Sequence, residues 1–435
     1  MIDKLYRKGE MMNNGFLTIG ELCQRVGIRG HTLRYWEREF ASLLKPYRSK
    51  GGHRRYDEDD TRKILKIKEL VKDNGYTIKG ARKLFEEKVD TTESITGNNF
   101  PGEGNYFQGK KILITGGTGT VGREITHRLL SFNPSVIRIY SRDESKQFNM
   151  QEEFRSKSIR YFVGDVRDAK RLEMAMEEVD IVFHLAALKH VMACEYNPFE
   201  AVNTNVYGSQ NIINVARSLD IEKVIFTSTD KVVNPSSTMG ATKLMAEKLF
   251  TSANYYKGKR RVIFASVRFG NILGSRGSVV PLFKNQMLNG GPVTITDRRM
   301  SRFVMSLSEA VQFIFKATLL AKGGEVFVLK MPVVRITDLV EVIEQSLGCH
   351  NNIKEIGIKS GEKLYEELMT KEEERRALER DDMYIILPAV REFSKIKYSY
   401  PDVYISKRDN HLTSEEGPFL AREEIKDYLQ KESLV

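Results

Sequence analysis

A chain of 435 residues is longer than one ordinary hydrophobic core organises, so two or three domains are expected, and no apolar run approaches the roughly 20 residues that span a bilayer. The start, Met1 to Gly15, lacks the apolar stretch of a signal peptide, and three cysteines, Cys23, Cys194 and Cys349, far apart and in no CxxC pair, argue against a disulfide framework or a zinc ribbon; a cytoplasmic protein without a metal site is expected. The net charge of +11 is uneven, because residues 1–90 hold 21 Lys and Arg against 14 Asp and Glu, and that +7 in the first fifth points to a polyanion partner for the N-terminal part.

Residues 1–90 carry helical apolar spacing, as in IGELCQRV and ILKIKELV, with no strand apart from a short wing. Thr18 can cap a helix running through Glu21 to Arg25. Gly27-Ile28 makes the turn, and a second helix from His31 to Glu39 carries Arg34, Tyr35 and Arg38. Arg48 to Tyr56 then forms a glycine-turned basic hairpin, of the sort that lays arginines on phosphates while the second helix enters the major groove. The candidate DNA contacts are Thr18, His31, Thr32, Arg34, Tyr35 and Arg38 from the helices, and Arg48, His53, Arg54, Arg55 and Tyr56 from the wing. LTIGELCQRVGI, HTLRYWE, GGHRRY and the later GYTIKGARKLF resemble the DNA-binding domain of MerR-family regulators over nearly all of residues 16–88. That resemblance implies binding to double-stranded DNA. The alternative is a helical cap or dimerisation module with solvated charges. Such regulators pair through a long C-terminal helix that the sequence does not display, so a homodimer or higher homo-oligomer would have to come from the C-terminal domain.

Residues 91–108 are polar and rich in Gly, Thr and Asn, and are expected to be a flexible linker. Within them Glu103, Tyr106, Gln108 and Gly109 fit the E-x-x-Y-x-Q-G pattern of a viral protease site, so an engineered junction is one reading; the other is that Phe107 to Lys111 leads into the first strand.

Residues 109–435 change register. The runs KILITGG, VIRIYSR, IRYFVGDV, DIVFHLAA, KVIFTST and VIFASVRFG, separated by helix-length stretches, predict an α/β fold with a doubly wound parallel Rossmann sheet, followed by a smaller α/β substrate lobe mainly within 270–435. The first strand runs into Gly116-Gly-Thr118-Gly119-Thr120-Val121-Gly122 and then a helix. Gly116 permits the tight turn, Gly119 lets the backbone approach a pyrophosphate, and Gly122 lets the helix pack on the sheet, the dinucleotide fingerprint in its required setting. The second strand ends in Ser141, Arg142, Asp143 and Lys146, whose cations suit the 2′-phosphate of NADP; Asp143 keeps NAD open as the alternative. Asp165 and Val166 are placed to meet the adenine, and Leu185, Ala186 and Ala187 supply small or apolar residues where the backbone lies against the cofactor.

The fifth strand ends in Thr229, Asp230 and Lys231, and Met239 and Lys243 lie four apart on the next helix, hence on one face. A thioether exchanges no proton at neutral pH, so Met239 cannot serve as acid or base. STDK, MGATKLMAEKLF, HLAALKHVMACEYNP, RFGNILGSRGSVVPLF, MSRFVM and SGEKLYEEL resemble the UDP-N-acetylglucosamine 4,6-dehydratases of the extended short-chain dehydrogenase/reductase class, in the subgroup with methionine where others carry tyrosine, over residues 110 to about 405.

The resemblance implies oxidation at sugar C4 by NADP, loss of water across C5 and C6, and return of the hydride to C6, with Lys231 as base, Asp230 as acid, Thr229 on the sugar and Lys243 on the nicotinamide ribose. It further implies a lowered Lys231 pKa and a raised Asp230 pKa. Lys189 and His190 lie at the corresponding edge of the preceding strand, where they are expected to line the sugar pocket, with a satisfied core histidine as the alternative for His190; by the resemblance Asn271, Ser278, Val279 and Arg302 hold the diphosphate and nucleobase of a UDP-amino sugar, and Gly361-Glu362-Lys363 closes the site. Met192, where a proline is usual, and Cys194 depart from the family pattern beside the sugar pocket. A sensor of NADP or nucleotide sugar that regulates transcription, and a related epimerase, are the competing functions.

Overall fold

A computed structural model describes residues 17–41, 44, 46–48, 54–68, 71, 78, 103–275, 277–380, 382–390, 396–405, 412–432, 434 and 435. The chain forms two compact units, residues 1–98 and 99–435.

In the first unit, helix α1 (Ile19–Val26) opens on a capping box: the Glu21 amide donates to Thr18 Oγ1 at 3.3 Å, and the Thr18 amide donates to Glu21 Oε2 at 2.7 Å. Gly27, at φ +70°, ends it in the left-handed conformation that glycine adopts without steric cost. Helix α2 (Gly30–Glu39) follows, then the hairpin β1 (Tyr47–Arg48) and β2 (Arg54–Arg55), and helix α3 (Glu58–Lys68). Leu22, Val26, Leu33, Trp36, Phe40, Ile64 and Ile67 make its core. The GYTIKGARKLF segment lies outside the described residues except for Ile78, as does His53.

The second unit is built on a ten-stranded sheet. Its parallel part runs β12 (Val326–Leu329), β8 (Ile263–Arg268), β7 (Lys223–Thr227), β6 (Ile181–His184), β3 (Lys111–Thr115), β4 (Val136–Ser141), β5 (Ile159–Val163). The six expected strands are there, in doubly wound order, with the strand order reversing between the parallel neighbours β3 and β6, where such sheets take ligands. The strand β12, and the antiparallel strands β16 (Met383–Ile386), β15 (Ala377–Glu379) and β17 (Tyr404–Ile405) beyond it, extend the sheet with residues from the C-terminal part. The rest of that part forms the smaller lobe: β9 (Asn271–Ile272), β11 (Ser301–Met305) and β13 (Val333–Arg335) in one sheet, β10 (Val293–Ile295) with β14 (Ile353–Glu355) in another, and helices Val279–Leu288, Ile336–Leu347 and Arg422–Lys431 around a core of their own.

The expected linker ends earlier than residue 108. Glu103–Phe107 is a short helix packed on the second unit: Phe107 is fully buried with its ring 4.8 Å from Phe315, and the Tyr106 hydroxyl donates to Glu222 at 2.7 Å. An aromatic side chain with so much apolar area is retained in the core despite its polar neighbours, which supports the reading in which this segment leads into β3. Among the described residues no helix is long and apolar enough to cross a membrane.

Candidate functional site

The glycine loop after β3 divides its labour among three positions. Gly116 has φ +67°, and a Cβ there would lie 2.8 Å from the Ala186 amide nitrogen, so the turn and the approach to Leu185-Ala186-Ala187 both require glycine. A Cβ on Gly122 would lie 2.5 Å from the Gly117 carbonyl oxygen, which makes it the contact that seats helix Thr120–Ser131 on the loop. Gly119 is different: it is exposed, and a Cβ would meet only the Gly116 oxygen, at 3.2 Å. As N-cap residue it also offers no side-chain oxygen to the first-turn amides around Val121, an arrangement suited to an anion.

At the next strand end Thr118 and Ser141 share a hydroxyl hydrogen bond of 3.0 Å. Asp143 is committed to the start of helix Glu144–Phe154, accepting from the Lys146 amide at 2.9 Å and pairing with Lys146 Nζ at 2.5 Å. Arg142 remains half exposed, 3.5 Å from Asp165 Oδ2. Burial would raise the Asp165 carboxyl, but hydrogen bonds from Arg167, with Arg142 adding to them, hold it below the usual range. Val166 beside it is buried. The glycine cradle and the Arg142 edge fit a dinucleotide carrying phosphate groups.

Beyond β7, Asp230–Val232 forms one 3-10 turn. Asp230 is fully buried; its Oδ1 accepts from Thr229 Oγ1 and from Lys231 Nζ, both at 2.9 Å, while its Oδ2 has no hydrogen-bond partner among the described residues. Lys231 Nζ also lies 3.3 Å from Glu366 of the smaller lobe. The expected lowering of Lys231 is corrected here: burial pushes it down, but the carboxylates of Asp230 and Glu366 outweigh that and hold the ammonium above its ordinary range. Glu366 was not singled out from the sequence. It sits in the SGEKLYEEL segment, and the tertiary fold turns it inward.

Helix Thr238–Ala253 opens at Ser237 and buries Met239 and Lys243 on one face. Met239 packs with Cys194, Ala201, Leu188 and Val191, an apolar contact with no proton to give. Lys243 Nζ donates to the Thr227 carbonyl at 2.5 Å and lies 4.1 Å from the Phe226 ring centroid; burial lowers it to about 7, with Glu247 opposing. Behind them the fully buried His184 spans Thr115 Oγ1 and Ser209 Oγ at 2.7 and 3.1 Å, and burial, with Lys243 nearby, lowers it to about 3, so it stays neutral.

On the substrate side Lys189 and His190 are exposed, and His190 lies against Gly277, where a Cβ would meet its Cε1 at 3.0 Å. Val279 begins its helix after Ser278, whose buried Oγ has no hydrogen-bond partner, as has Glu362 Oε2. Asn271 is occupied in structure, its Nδ2 donating to the Phe303 carbonyl at 3.1 Å. Arg302 is likewise engaged: Nη1 donates to the Ser301 and Leu364 carbonyls at 2.7 and 2.9 Å and Nη2 to the Lys363 carbonyl at 2.8 Å, so the guanidinium clamps the loop backbone. Lys363 in turn donates to the Val233 carbonyl at 2.7 Å, and Ser236 to that of Gly361 at 3.2 Å, tying the lobe to the turn that holds Lys231.

In the first unit His31, Arg34, Tyr35 and Arg38 are exposed on helix α2 and Thr32 is half-buried. Arg38 lies over the Tyr35 ring at 5.4 Å, and Arg55 is half-buried opposite Tyr47. Arg48 is in strand β1, paired with Arg54. Two expected contacts are turned inward. Tyr56 is a core residue whose hydroxyl donates to Glu37, and Arg54 Nε pairs with the same carboxylate at 3.0 Å. They brace the wing against α2.

The family model described as polysaccharide biosynthesis protein matches residues 112–388, and that of the MerR HTH family of regulatory proteins matches residues 17–88. An uncharacterized membrane protein of Methanocaldococcus jannaschii is 50% identical over 75% of this chain and 97% of its own length. A protein of Campylobacter jejuni named UDP-N-acetylglucosamine 4,6-dehydratase (inverting) is 45% identical over 66% of this chain and 85% of its own, and a UDP-glucose 4-epimerase of Rickettsia massiliae is 38% identical over 75% and 98%. The X-ray structure of Pen from Bacillus thuringiensis superposes with a TM-score of 0.72 at 46% identity, covering 76% of this chain and all of that one.

Proposed function

The chain belongs to the polysaccharide biosynthesis protein family and carries a MerR-type N-terminal domain, and on that premise we propose that its second unit removes water from a UDP-linked N-acetylhexosamine, with UDP-N-acetylglucosamine as the first candidate. The product is the 4-keto-6-deoxy sugar, and the coenzyme is NADP, recycled in each turnover. The observation that carries this reading is the Asp230–Lys231 pair, hydrogen-bonded at 2.9 Å, at the end of the strand whose Thr227 carbonyl receives Lys243.

Gly116, Gly119, Gly122 and the Arg142 edge would hold the coenzyme, with Lys243 on the nicotinamide ribose. When bound, the nicotinamide accepts hydride from sugar C4 and restores it at C6. Over the cycle the proton freed from the C4 hydroxyl on oxidation balances the one that leaves in water, and C5 regains a proton as C6 is reduced; for the elimination itself, with C5 acidified by the C4 ketone, the protein must take the C5 proton and give one to the C6 hydroxyl. One proton moving along the Lys231–Asp230 hydrogen bond supplies both needs. The Nζ–H bond breaks and an Oδ1–H bond forms, which turns ammonium and carboxylate into an amine for C5 and an acid for the C6 oxygen. The ion pair is the resting form, because the Asp230 and Glu366 carboxylates hold the Lys231 ammonium charged against the pull of burial, and the transfer takes place with sugar and coenzyme bound.

Incubation with UDP-N-acetylglucosamine and NADP is expected to yield a product lighter by one water, and Lys231→Ala to abolish it. An isomer of unchanged mass would instead assign the epimerase chemistry named for the Rickettsia relative, and unchanged substrate would leave the sensor. For the first unit we propose binding to double-stranded DNA through the α2 face and the wing.

A further inference from the structure

We propose that Glu366 is a positioning residue for this dehydration, a second carboxylate carried to Lys231 by the smaller lobe that sets when the Lys231–Asp230 pair can work as base and acid. The proposal rests on the dehydratase reading above. Its geometry does not: Glu366 is buried, its Oε1 is 3.3 Å from Lys231 Nζ, and its Oε2 has no hydrogen-bond partner among the described residues. Asp230 Oδ2 is buried and unpartnered as well, so one ammonium faces two incompletely satisfied carboxylates. A buried carboxylate costs desolvation free energy that a single ion pair seldom offsets, so stability is a poor reason for a third charge here.

The loop that delivers Glu366 is nonetheless fastened at several points. The Glu366 amide donates to Ser414 Oγ at 2.9 Å and its carbonyl accepts from the Ser414 amide at 2.8 Å, next to the Arg302 clamp on Lys363 and Leu364. The charged groups facing Lys231 are Asp230, Glu366 and Arg302; those facing Glu366 are Lys231, Asp230, Arg302 and Lys363. Burial drives the Glu366 carboxyl above its ordinary range, against the pull of Lys231 and with the push of Asp230.

An ionised Glu366 stabilises every protonated state of the pair and so delays loss of its shared proton as pH rises. With that charge removed, the proton leaves at lower pH, the acid for the C6 oxygen is lost sooner, and the alkaline limb of the rate profile moves down. A residue that merely held the loop would change the height of the profile and leave its limbs in place.

The experiment is the single-turnover rate of water loss from UDP-N-acetylglucosamine, with the full chain and NADP, followed against pH for wild type, Glu366→Gln and Glu366→Asp. We expect Glu366→Gln to move the alkaline limb about one pH unit lower, the size of effect one charge exerts at this range, and Glu366→Asp to fall between it and wild type. An unmoved limb in Glu366→Gln, with wild type dehydrating the sugar, overturns the role of Glu366 alone; wild type that releases no water overturns the dehydratase reading and this inference together. Should Glu366→Gln fail to fold, Glu366→Asp decides: a limb displaced from wild type supports the role, and a coincident one overturns it.

Discussion

Lys243 donates to the main-chain oxygen of Thr227 at 2.5 Å from a buried position on the facing helix. This one contact joins helix Thr238–Ala253 to the strand end that carries Asp230 and Lys231. It also places an amine where burial has already lowered its proton affinity.

The ordinary value of 10.5 falls to about 7 in the folded chain, with burial as the leading cause. Between those two values the unfolded chain binds the extra proton, so this group makes stability rise with pH across that window; below about 7 it is charged in both states and its burial cost is felt in full. Lys243→Met is therefore expected to stabilise the substrate-free protein by about 1–3 kcal/mol at pH 6, after the Thr227 carbonyl loses its donor. The gain should shrink toward pH 10, and dehydration should be lost throughout. Denaturant unfolding of both proteins at several pH values measures it, and a variant less stable at pH 6 would refute the assignment.

The three loop glycines separate folding from binding. Gly116→Ala and Gly122→Ala put a methyl into backbone atoms at 2.8 and 2.5 Å, and should each cost about 2 kcal/mol or more. Gly119→Ala meets a single oxygen at 3.2 Å, so its melting temperature should stay near that of wild type. Its methyl would nonetheless stand where the coenzyme's phosphates approach, and NADPH binding followed by fluorescence is expected to weaken at least tenfold.

On the proposed function, Arg142 is the residue expected to favour NADP over NAD. Its guanidinium is half exposed and only loosely held by Asp165 at 3.5 Å, whereas Asp143, the group that would favour NAD, is taken up by Lys146. Arg142→Ala should lower affinity for NADP by roughly 10- to 100-fold, the worth of a charge-assisted hydrogen bond to phosphate, and leave NAD within a few-fold. Equal losses for both in calorimetric titrations would show that Arg142 does not read the 2′-phosphate.

Much of this was legible in the sequence wherever the signal is local. Apolar runs marked six of the parallel strands, and the spacing of Gly116 and Gly122 named the turn and the packing side. What the sequence hid is long-range. The partner of Lys231 in the smaller lobe lies 135 positions away, and Arg302, read as a phosphate clamp, also donates to carbonyls some 60 residues on. Strand β12 escaped notice because VFVL is short and sits between a glycine turn and the lobe, so only its pairing with β8 and β16 identifies it. Tyr56 shows the same limit in the first unit, since an aromatic beside two arginines reads as a DNA contact until Glu37 is seen to accept its hydroxyl.

Those inward contacts sharpen what the first unit should do on DNA. Arg34 and Arg38 are exposed on α2, Arg38 with a surface ion pair to Glu39 at 3.5 Å, while Arg54 is held at 3.0 Å by the more buried Glu37, so the two helix arginines are the freer to meet phosphate or base edges. Arg34→Ala and Arg38→Ala should each weaken retention of a promoter fragment in a gel shift. If the contact is to phosphate, the slope of log affinity against log salt should fall by about one for each; if to a base edge, the slope should hold while preference among sequences relaxes. Arg54→Ala removes a brace instead, and its effect should appear as a lower melting temperature of the first unit together with weaker binding. Retention of the fragment that is unaffected by Arg34→Ala, Arg38→Ala and deletion of residues 1–90 would remove DNA from the function of this chain.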